Sequence, residues 1–386
     1  MAARKIEPGI NRIVDDDGRA HGWRVVVDLG TGRNDRQQHR RNFRTLDEAR
    51  AWRADMLAKR AAGTIVASSK TTITELLDTW MLGARHLKPS TRYGYQVHLK
   101  PVRERIGAVE VQKLTKHHVE ILVEHLLTTG GARGHGRSAS TVRQSLVVLE
   151  QAMDDALQQG LVMRNVVRLV SKPRIQRHEM KIWTAAQLAS FLRAANEDRY
   201  ACLWRVAAFG PRRSEVLGLR WCDVDFDRAD IRIVQTRVAV DGRKIATGEP
   251  KTASGRRTIP VDPITLDALR RFKRMQAREK LIAGEAYQDT GLIGVDELGT
   301  PLRPEAFGNL FARLFKSAVL PPIRLHDLRH TAASLMHDSG RVPLRTLAAM
   351  LGHADPSFTL RTYAHSSDEG MQAAASALAS LFQTGS

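Results

Sequence analysis

Arg324-Leu-His-Asp-Leu-Arg-His330, followed by Leu351-Gly-His353 and then by Tyr363, is the stretch on which the reading of this chain turns. His326 and His330 stand four residues apart, so on a helix they share one face with Arg329 beside them. Two histidines, an arginine and a phenol this close together suit chemistry on an anion. The rest of the chain agrees, since 60 Lys and Arg stand against 41 Asp and Glu, for a formal charge of +19. Cationic side chains that meet phosphates release condensed counterions, so a balance of this kind points to a polyanionic partner. The excess is spread along the whole chain, which suits a protein that surrounds nucleic acid more than a neutral enzyme with one basic tail.

At 386 residues the chain is long for one domain, and about 100–200 residues per domain implies two or three. Cys202 and Cys222 are the only cysteines, too few for a disulfide framework or a four-thiolate zinc site. The N-terminus has no apolar signal-peptide core and no run reaches the ~18–20 apolar residues of a membrane span, so the expectation is a protein of the cytoplasm with no membrane partner.

The first 64 residues read as a small sheet plus a helix. Trp23, Val25, Val27 and Leu29 alternate with Arg24, Val26 and Asp28, and Gln37 to Phe43 is the return strand. Thr45 and Glu48 form a capping box ahead of Ala49, Trp52 and Met56. Arg36, Arg40, Arg41 and Arg44 crowd the return strand, as a solvated charged strand or as a sheet laid in a DNA groove. After a small, polar linker, Thr72 and Glu75 open a second helix with Ile73, Leu76 and Trp80 on one side. Further helical patterns cover roughly 90–100, 115–128 and 140–158, the last carrying Val142, Leu146, Leu149, Met153 and Leu157 behind Ser140 as its cap. Between the last two, the glycine-rich stretch Gly130 to Arg137 reads as a flexible basic loop and lacks a P-loop ending. Beyond a second linker near Lys172-Pro-Arg174, Thr184 to Gln187 starts a helix, Ile231 to Val240 reads as a strand with a hairpin turn at Asp241-Gly242, and Arg257 to Val261 as another. The expected fold is therefore α+β and multidomain: a small N-terminal β-sheet plus helix module at 1–64, an all-α domain at 72–174, and a mostly helical domain with a small antiparallel sheet at 178–386.

An attack on a phosphodiester needs fixed cations around the phosphorus. Arginine fits because its planar fork donates two hydrogen bonds and stays charged at any working pH. Arg212 and Arg329 are the candidates. Pro211 suits a first helical position, which would set Arg212 at a positive helix end. His326 and His330 have metal-ligand spacing, but no glutamate follows the first histidine and Arg329 would repel a cation, so no metal is expected.

Gly210-Pro-Arg212-Arg-Ser-Glu215, Lys251 within Pro250-Lys-Thr-Ala-Ser-Gly-Arg-Arg257, His326 with Arg329, Gly352-His353 and Tyr363 together resemble the tyrosine recombinases, the phage-integrase superfamily. Each short match is weak, and their shared order across the second half of the chain is what makes the resemblance specific. Pro211 is a departure, since the family more often has a larger apolar residue there.

The resemblance implies an integrase with Arg212, Lys251, His326, Arg329, His353 and Tyr363 as its catalytic set. Tyr363 would form a 3′-phosphotyrosyl link, keeping the bond energy so that neither ATP nor another cofactor is needed. Lys251 would protonate the departing 5′ oxygen. It further implies that 1–64 binds arm-type DNA sites through Arg36, Arg40, Arg41 and Arg44, and that 72–174 binds core sites. The implied assembly is a homotetramer on double-stranded DNA, joined by the apolar stripe Met371 to Phe382 and passing through a Holliday junction, with DNA-bending and directionality factors as further partners. Such a protein would work at the bacterial nucleoid, integrating or excising a mobile element. A type IB topoisomerase would share this chemistry but act as a monomer, and a DNA-binding regulator would need none of it; the basic N-terminal sheet disfavours the first and the complete residue set the second.

Overall fold

The computed structural model describes residues 3–14, 20–28, 38–61, 66, 68–131, 134–175, 180–241, 244–250, 252–353, 355 and 357. The chain divides into two compact units, Met1–Gln176 and Arg177–Ser386.

The first unit opens with a four-stranded antiparallel sheet, β1 (Ala3–Glu7), β2 (Ile10–Val14), β3 (Ala20–Asp28) and β4 (Gln38–Phe43), in sequence order. The alternation in β3 buries Val25 and Val27 with Ile10, and the helix α1 (Leu46–Ala61) closes that face with Ala49, Trp52 and Met56. The capping box at Thr45 and Glu48 is present, with both of its hydrogen bonds at 3.3 Å. Sequence reading missed β1 and β2, whose Arg-Lys and Asn-Arg pairs hide the period of two. They are joined at Gly9, whose φ is 84° and where a Cβ would stand 2.7 Å from the Val26 carbonyl oxygen, so only glycine fits that approach.

Four further α-helices follow: α2 (Ile73–Gly83), α3 (Pro89–Ile106), α4 (Lys116–Thr128) and α5 (Ala139–Gln158). Ile73, Leu77, Leu99, Val102, Leu122, Leu126, Val142, Leu146 and Leu149 fill their common core. Thr72 and Glu75 make the expected reciprocal cap, and Trp80 stacks on Tyr95 at 5.6 Å. Two details of α5 differ from expectation. Its N-cap is Ser138, which accepts the Thr141 N–H at 3.2 Å, so Ser140 lies inside the helix. Leu157 is 37% exposed while Ala156 is buried, because a stripe stepping by fours outruns the 3.6-residue turn. The glycine-rich connection before α5 is tied back where it is described: the Arg137 Nε donates to the Gly130 carbonyl at 2.6 Å and its backbone N–H to Leu126 at 2.7 Å.

The second unit is mostly helical, with α6 (Ala185–Ala194), α7 (Ala201–Ala207), the single turn α8 (Arg213–Val216), α9 (Pro263–Ala283), α10 (Pro304–Ser317), α11 (Leu325–Asp338) and α12 (Leu344–Leu351). Trp183, Phe191, Trp204, Phe307 and Phe311 build its core, and Trp204 stacks on Phe307 at 4.2 Å. The strands are β5 (Val224–Asp225), β6 (Asp230–Ile233), β7 (Thr236–Ala239), β8 (Ile245–Gly248) and β9 (Arg257–Pro260). The single strand expected over Ile231 to Val240 is two: β6 joins β5 and β9, whereas β7 pairs with β8. The partner changes at Gln235, whose side chain donates to the Gly218 carbonyl at 2.7 Å where the two backbones cross. Apolar alternation cannot reveal such a change, because it reports the buried face and not the hydrogen-bonding neighbour. The expected hairpin turn is β7 to β8, with Asp241 accepting the Lys244 N–H at 2.6 Å; Gly242 lies outside the described residues. Among the described residues no helix is long and apolar enough to cross a membrane.

Candidate active site

The site is assembled around the end of α12. A helix leaves its last carbonyls without intrahelical partners and with partial negative charge, which favours cationic donors. Here Gly352 turns the chain in the left-handed region at φ 71° and ψ 45°, and the carbonyls of Met350, Leu351 and Gly352 each accept a guanidinium. Arg257 takes Met350 at 2.6 Å, Arg329 takes Leu351 at 2.7 Å, and Arg212 takes Gly352 at 3.2 Å.

Arg329 reaches its carbonyl from the first turns of α11. That helix starts at Arg324, whose N–H and guanidinium both bond Asp327, at 2.9 Å and 2.8 Å. Thr331 then accepts the Trp183 N–H at 3.1 Å, anchoring the helix to the aromatic core. So fixed, Arg329 is buried and also donates to the Gly210 carbonyl at 2.7 Å. His326 and His330 flank it with their rings edge to face at 5.1 Å.

Arg212 is the N-cap of α8, and Pro211 precedes the helix instead of occupying its first position. Its orientation is set by a carboxylate and not by the dipole of a single turn. Glu215, almost fully buried, accepts the Arg212 N–H at 2.7 Å, the Arg212 Nη1 at 2.8 Å and the Arg257 Nη2 at 2.8 Å. Burial pushes the Glu215 carboxyl up, but the two guanidinium groups outweigh it and hold the group below its ordinary range. Arg212 is left 39% exposed at its side chain, so it combines a fixed base with an accessible face.

His353 follows Gly352, with its backbone N–H bonded to the Ala348 carbonyl at 3.0 Å. Burial, then the charges of Arg329, Arg212 and Arg257, push its pKa down to about 4. The ring is therefore neutral at physiological pH and can donate one hydrogen bond without carrying charge. His326 is lowered too, first by burial and then by His330 and Arg329, and His330 chiefly by burial. Together these groups form a concentrated, pre-oriented positive site that can bind an anion and stabilise charge developing on it.

Of the expected residues, Arg212, Arg329, His326 and His353 come together here. Lys251 and Tyr363 lie outside the described residues, as do Arg36 and the stripe from Met371 to Phe382. Arg40, Arg41 and Arg44 are exposed on and just after β4, Arg41 lying 5.4 Å from the centre of the Phe43 ring. The residue that sequence reading left without a role is Arg257. Its signal was the period of two shared with buried Ile259 on β9, which separates it from exposed Arg256.

Residues 181–370 match the phage integrase family. The chain is 24% identical to a XerC-like tyrosine recombinase of Caldanaerobacter subterraneus, covering 89% of this chain and 92% of that one. It is also 24% identical to an integrase of Streptomyces ambofaciens, covering 96% of each. In fold it is similar to the Tn1549 transposon integrase in complex with a circular intermediate DNA, with a TM-score of 0.64 at 21% identity over 80% of this chain and 99% of that one. It is likewise similar to a lambda integrase tetramer bound to a Holliday junction, with a TM-score of 0.57 at 15% identity over 95% and 98%. The chain belongs to the phage integrase family of tyrosine recombinases.

Proposed function

We propose that this chain is a site-specific DNA recombinase that integrates or excises a mobile element, and that Tyr363 is its nucleophile. The observation that carries the reading is the convergence of Arg212, Arg329 and His353 on the end of α12. Two guanidinium groups and a neutral imidazole are what a pentacoordinate phosphorus needs around its non-bridging oxygens. The Tyr363 phenolic oxygen forms a bond to phosphorus while the bond to the 5′ oxygen breaks, and Lys251 gives that oxygen its proton. His326 acts at the nucleophile as base or donor, and the phenolic proton passes to its ring in the first case and to water in the second. Attack by a free 5′-hydroxyl on the phosphotyrosyl bond reverses the chemistry and rejoins the strand.

The DNA complex of the Tn1549 integrase and the tetrameric lambda integrase on a Holliday junction support the same partners here. In this reading double-stranded DNA is held by a homotetramer. Residues 1–64 bind arm sites through Arg36, Arg40, Arg41 and Arg44, 72–174 bind core sites and 178–386 cut, with DNA-bending and directionality factors as accessory partners. The place of action is the bacterial cytoplasm, at the nucleoid.

Tyr363→Phe removes only the phenolic oxygen. On a nicked suicide substrate the unaltered chain should accumulate a covalent adduct that survives a denaturing gel, and the variant should bind the same DNA without forming it. Equal trapping by both would refute the assignment of the nucleophile.

A further inference from the structure

We propose that Arg257 is a positioning residue of the recombination site, a side chain that sets Arg212 and the turn bearing His353 in one frame with the segment that follows Lys251. The proposal rests on the recombinase reading for its consequence in catalysis, though not for its geometry.

All three guanidinium nitrogens of Arg257 are bonded, each to a different part of the site. Nε donates to the Met350 carbonyl at 2.6 Å, Nη1 to the Gly255 carbonyl at 3.1 Å, and Nη2 to Glu215 Oε2 at 2.8 Å. Its side chain is only 6% exposed and all three of its nitrogens are spent on holding the fold, whereas the side chain of Arg212 is 39% exposed. Glu215 Oε2 is shared between Arg257 and the backbone N–H of Arg212, while Oε1 takes the Arg212 guanidinium. Fixing one oxygen of a planar carboxylate fixes the other, so Arg257 sets the direction in which Arg212 points.

The packing around Gly352 supports the same role. A Cβ at that position would come within 2.9 Å of Arg257 Nη1 and 3.0 Å of the Ser254 carbonyl oxygen. The turn that presents His353 is thus built against Arg257 itself. A lysine could not reproduce this bridge, because one ammonium on a flexible stem cannot reach acceptors on α8, α12 and the approach to β9 in a fixed fork.

A simpler role is possible in principle: Arg257 could serve only to neutralise a buried carboxylate, and removing one partner of such a pair is destabilising whatever the site does. The two roles separate in a double variant. Arg257→Met leaves Glu215 short of a counter-charge, whereas Arg257→Met with Glu215→Gln removes both charges and with them the unpaired-charge penalty. In the full chain three quantities should be measured: the melting temperature, the affinity for core-site DNA, and the first-order rate of covalent adduct formation on saturating suicide substrate. The double variant is expected to regain thermal stability over the single one and to bind DNA as the unaltered chain does. Its adduct rate should remain down on the order of a hundredfold, the scale of a misplacement of about 1 Å, and should stay below that of Glu215→Gln alone, because Glu215 also holds Arg212 directly. Arg257→Lys keeps the charge and should likewise fold and bind but cut slowly. An unimpaired rate in either variant would reduce Arg257 to a counter-charge and overturn the proposal.

Hydrogen exchange on the DNA-free protein tests the geometry without activity. The Gly352 and His353 amides, bonded to the Ala349 and Ala348 carbonyls at 3.0 Å, should exchange faster in Arg257→Lys while α2 to α5 are unchanged. Unchanged exchange at both amides would also overturn it. If the unaltered chain forms no adduct on any DNA, it is the recombinase reading that fails, and the exchange result still decides whether Arg257 holds the turn.

Discussion

The arginines of β4 and those around the end of α12 are the same residue used in opposite ways. Arg40, Arg41 and Arg44 are exposed; among the described residues their one side-chain hydrogen bond runs from Arg40 to Gln38 at 2.8 Å, within the same strand. Arg212, Arg257 and Arg329 are held by backbone carbonyls and by buried Glu215. A free cation finds a phosphate wherever the backbone presents one, and the encounter weakens as salt rises. A pinned cation has given up its rotamers during folding, so it can meet developing charge without rearranging. On the proposed reading the difference separates two tasks that net charge alone merges: gripping a polyanion and stabilising a transition state.

Arg329 offers the sharpest way to break this comparison. Arg329→Lys leaves a charge in place but cannot serve both the Gly210 and Leu351 carbonyls in one plane. Adduct formation should fall by a factor on the order of a hundred to a thousand. Melting temperature should fall as well, since an orphaned buried carbonyl costs about 1–3 kcal/mol. Trapping kinetics and thermal denaturation check the two effects, and a variant that cuts normally would show that this pinned cation is only structural.

Arg212→Lys should separate those effects. The loss of bidentate donation again predicts about a hundredfold slower adduct formation. The cost in stability should be smaller than for Arg329, because Arg212 is part-exposed and its backbone N–H bond to Glu215 survives the substitution. Equal destabilisation by the two substitutions would mean that exposure is a poor guide to which arginine the fold depends on.

How far the sequence revealed this arrangement differs along the chain. Arg212, His326, Arg329 and His353 were legible because short motifs kept their order, and the helices α2 and α5 because apolar residues repeat at steps of three and four. Arg257 was hidden beside Arg256, since what distinguishes the two is which face of β9 they occupy. The gathering of three arginines on successive carbonyls was also invisible, because a backbone oxygen at a helix end carries no mark in its own side chain. The split of β6 from β7 escaped for a related reason: strand partners are a tertiary choice. Motifs report the groups that do chemistry, and say little about the backbone that aims them.

The exposed arginines give the next test. Arg40→Ala, Arg41→Ala and Arg44→Ala together should change melting temperature little, as surface substitutions usually stay within about 0.5 kcal/mol. If each contacts one phosphate, affinity of the full chain for arm-type DNA should lose about 0.9 per contact from the slope of log affinity against log salt, nearly three in all. Core-site cleavage should persist. An unchanged slope would make β4 a solvated strand, and loss of cleavage would contradict the division of tasks between the two groups of arginines.

Acidity should produce the smallest effect, and it should originate mainly in the pinned region, although His98 of α3 is lowered as well, first by burial and then by Arg137. His353 has its pKa lowered from an ordinary 6.5 to about 4, and His326 and His330 move in the same direction. A histidine that the fold keeps neutral binds fewer protons than it does unfolded, so stability rises with pH across the interval between the two values. Its contribution is complete above pH 6.5 and is lost as pH falls toward 4. The depressed carboxylates Glu215 and Asp327 act lower, below their ordinary values of 4.5 and 3.8, and arginines do not titrate in this range at all. Melting temperature should therefore decline between pH 7 and pH 5, and His353→Gln, which is neutral in both states, should shallow the decline. The triple alanine substitution on and after β4 should leave the slope as it is. A decline that His353→Gln does not alter would place the acid sensitivity elsewhere and contradict the view that burial and these cations hold His353 in its neutral form.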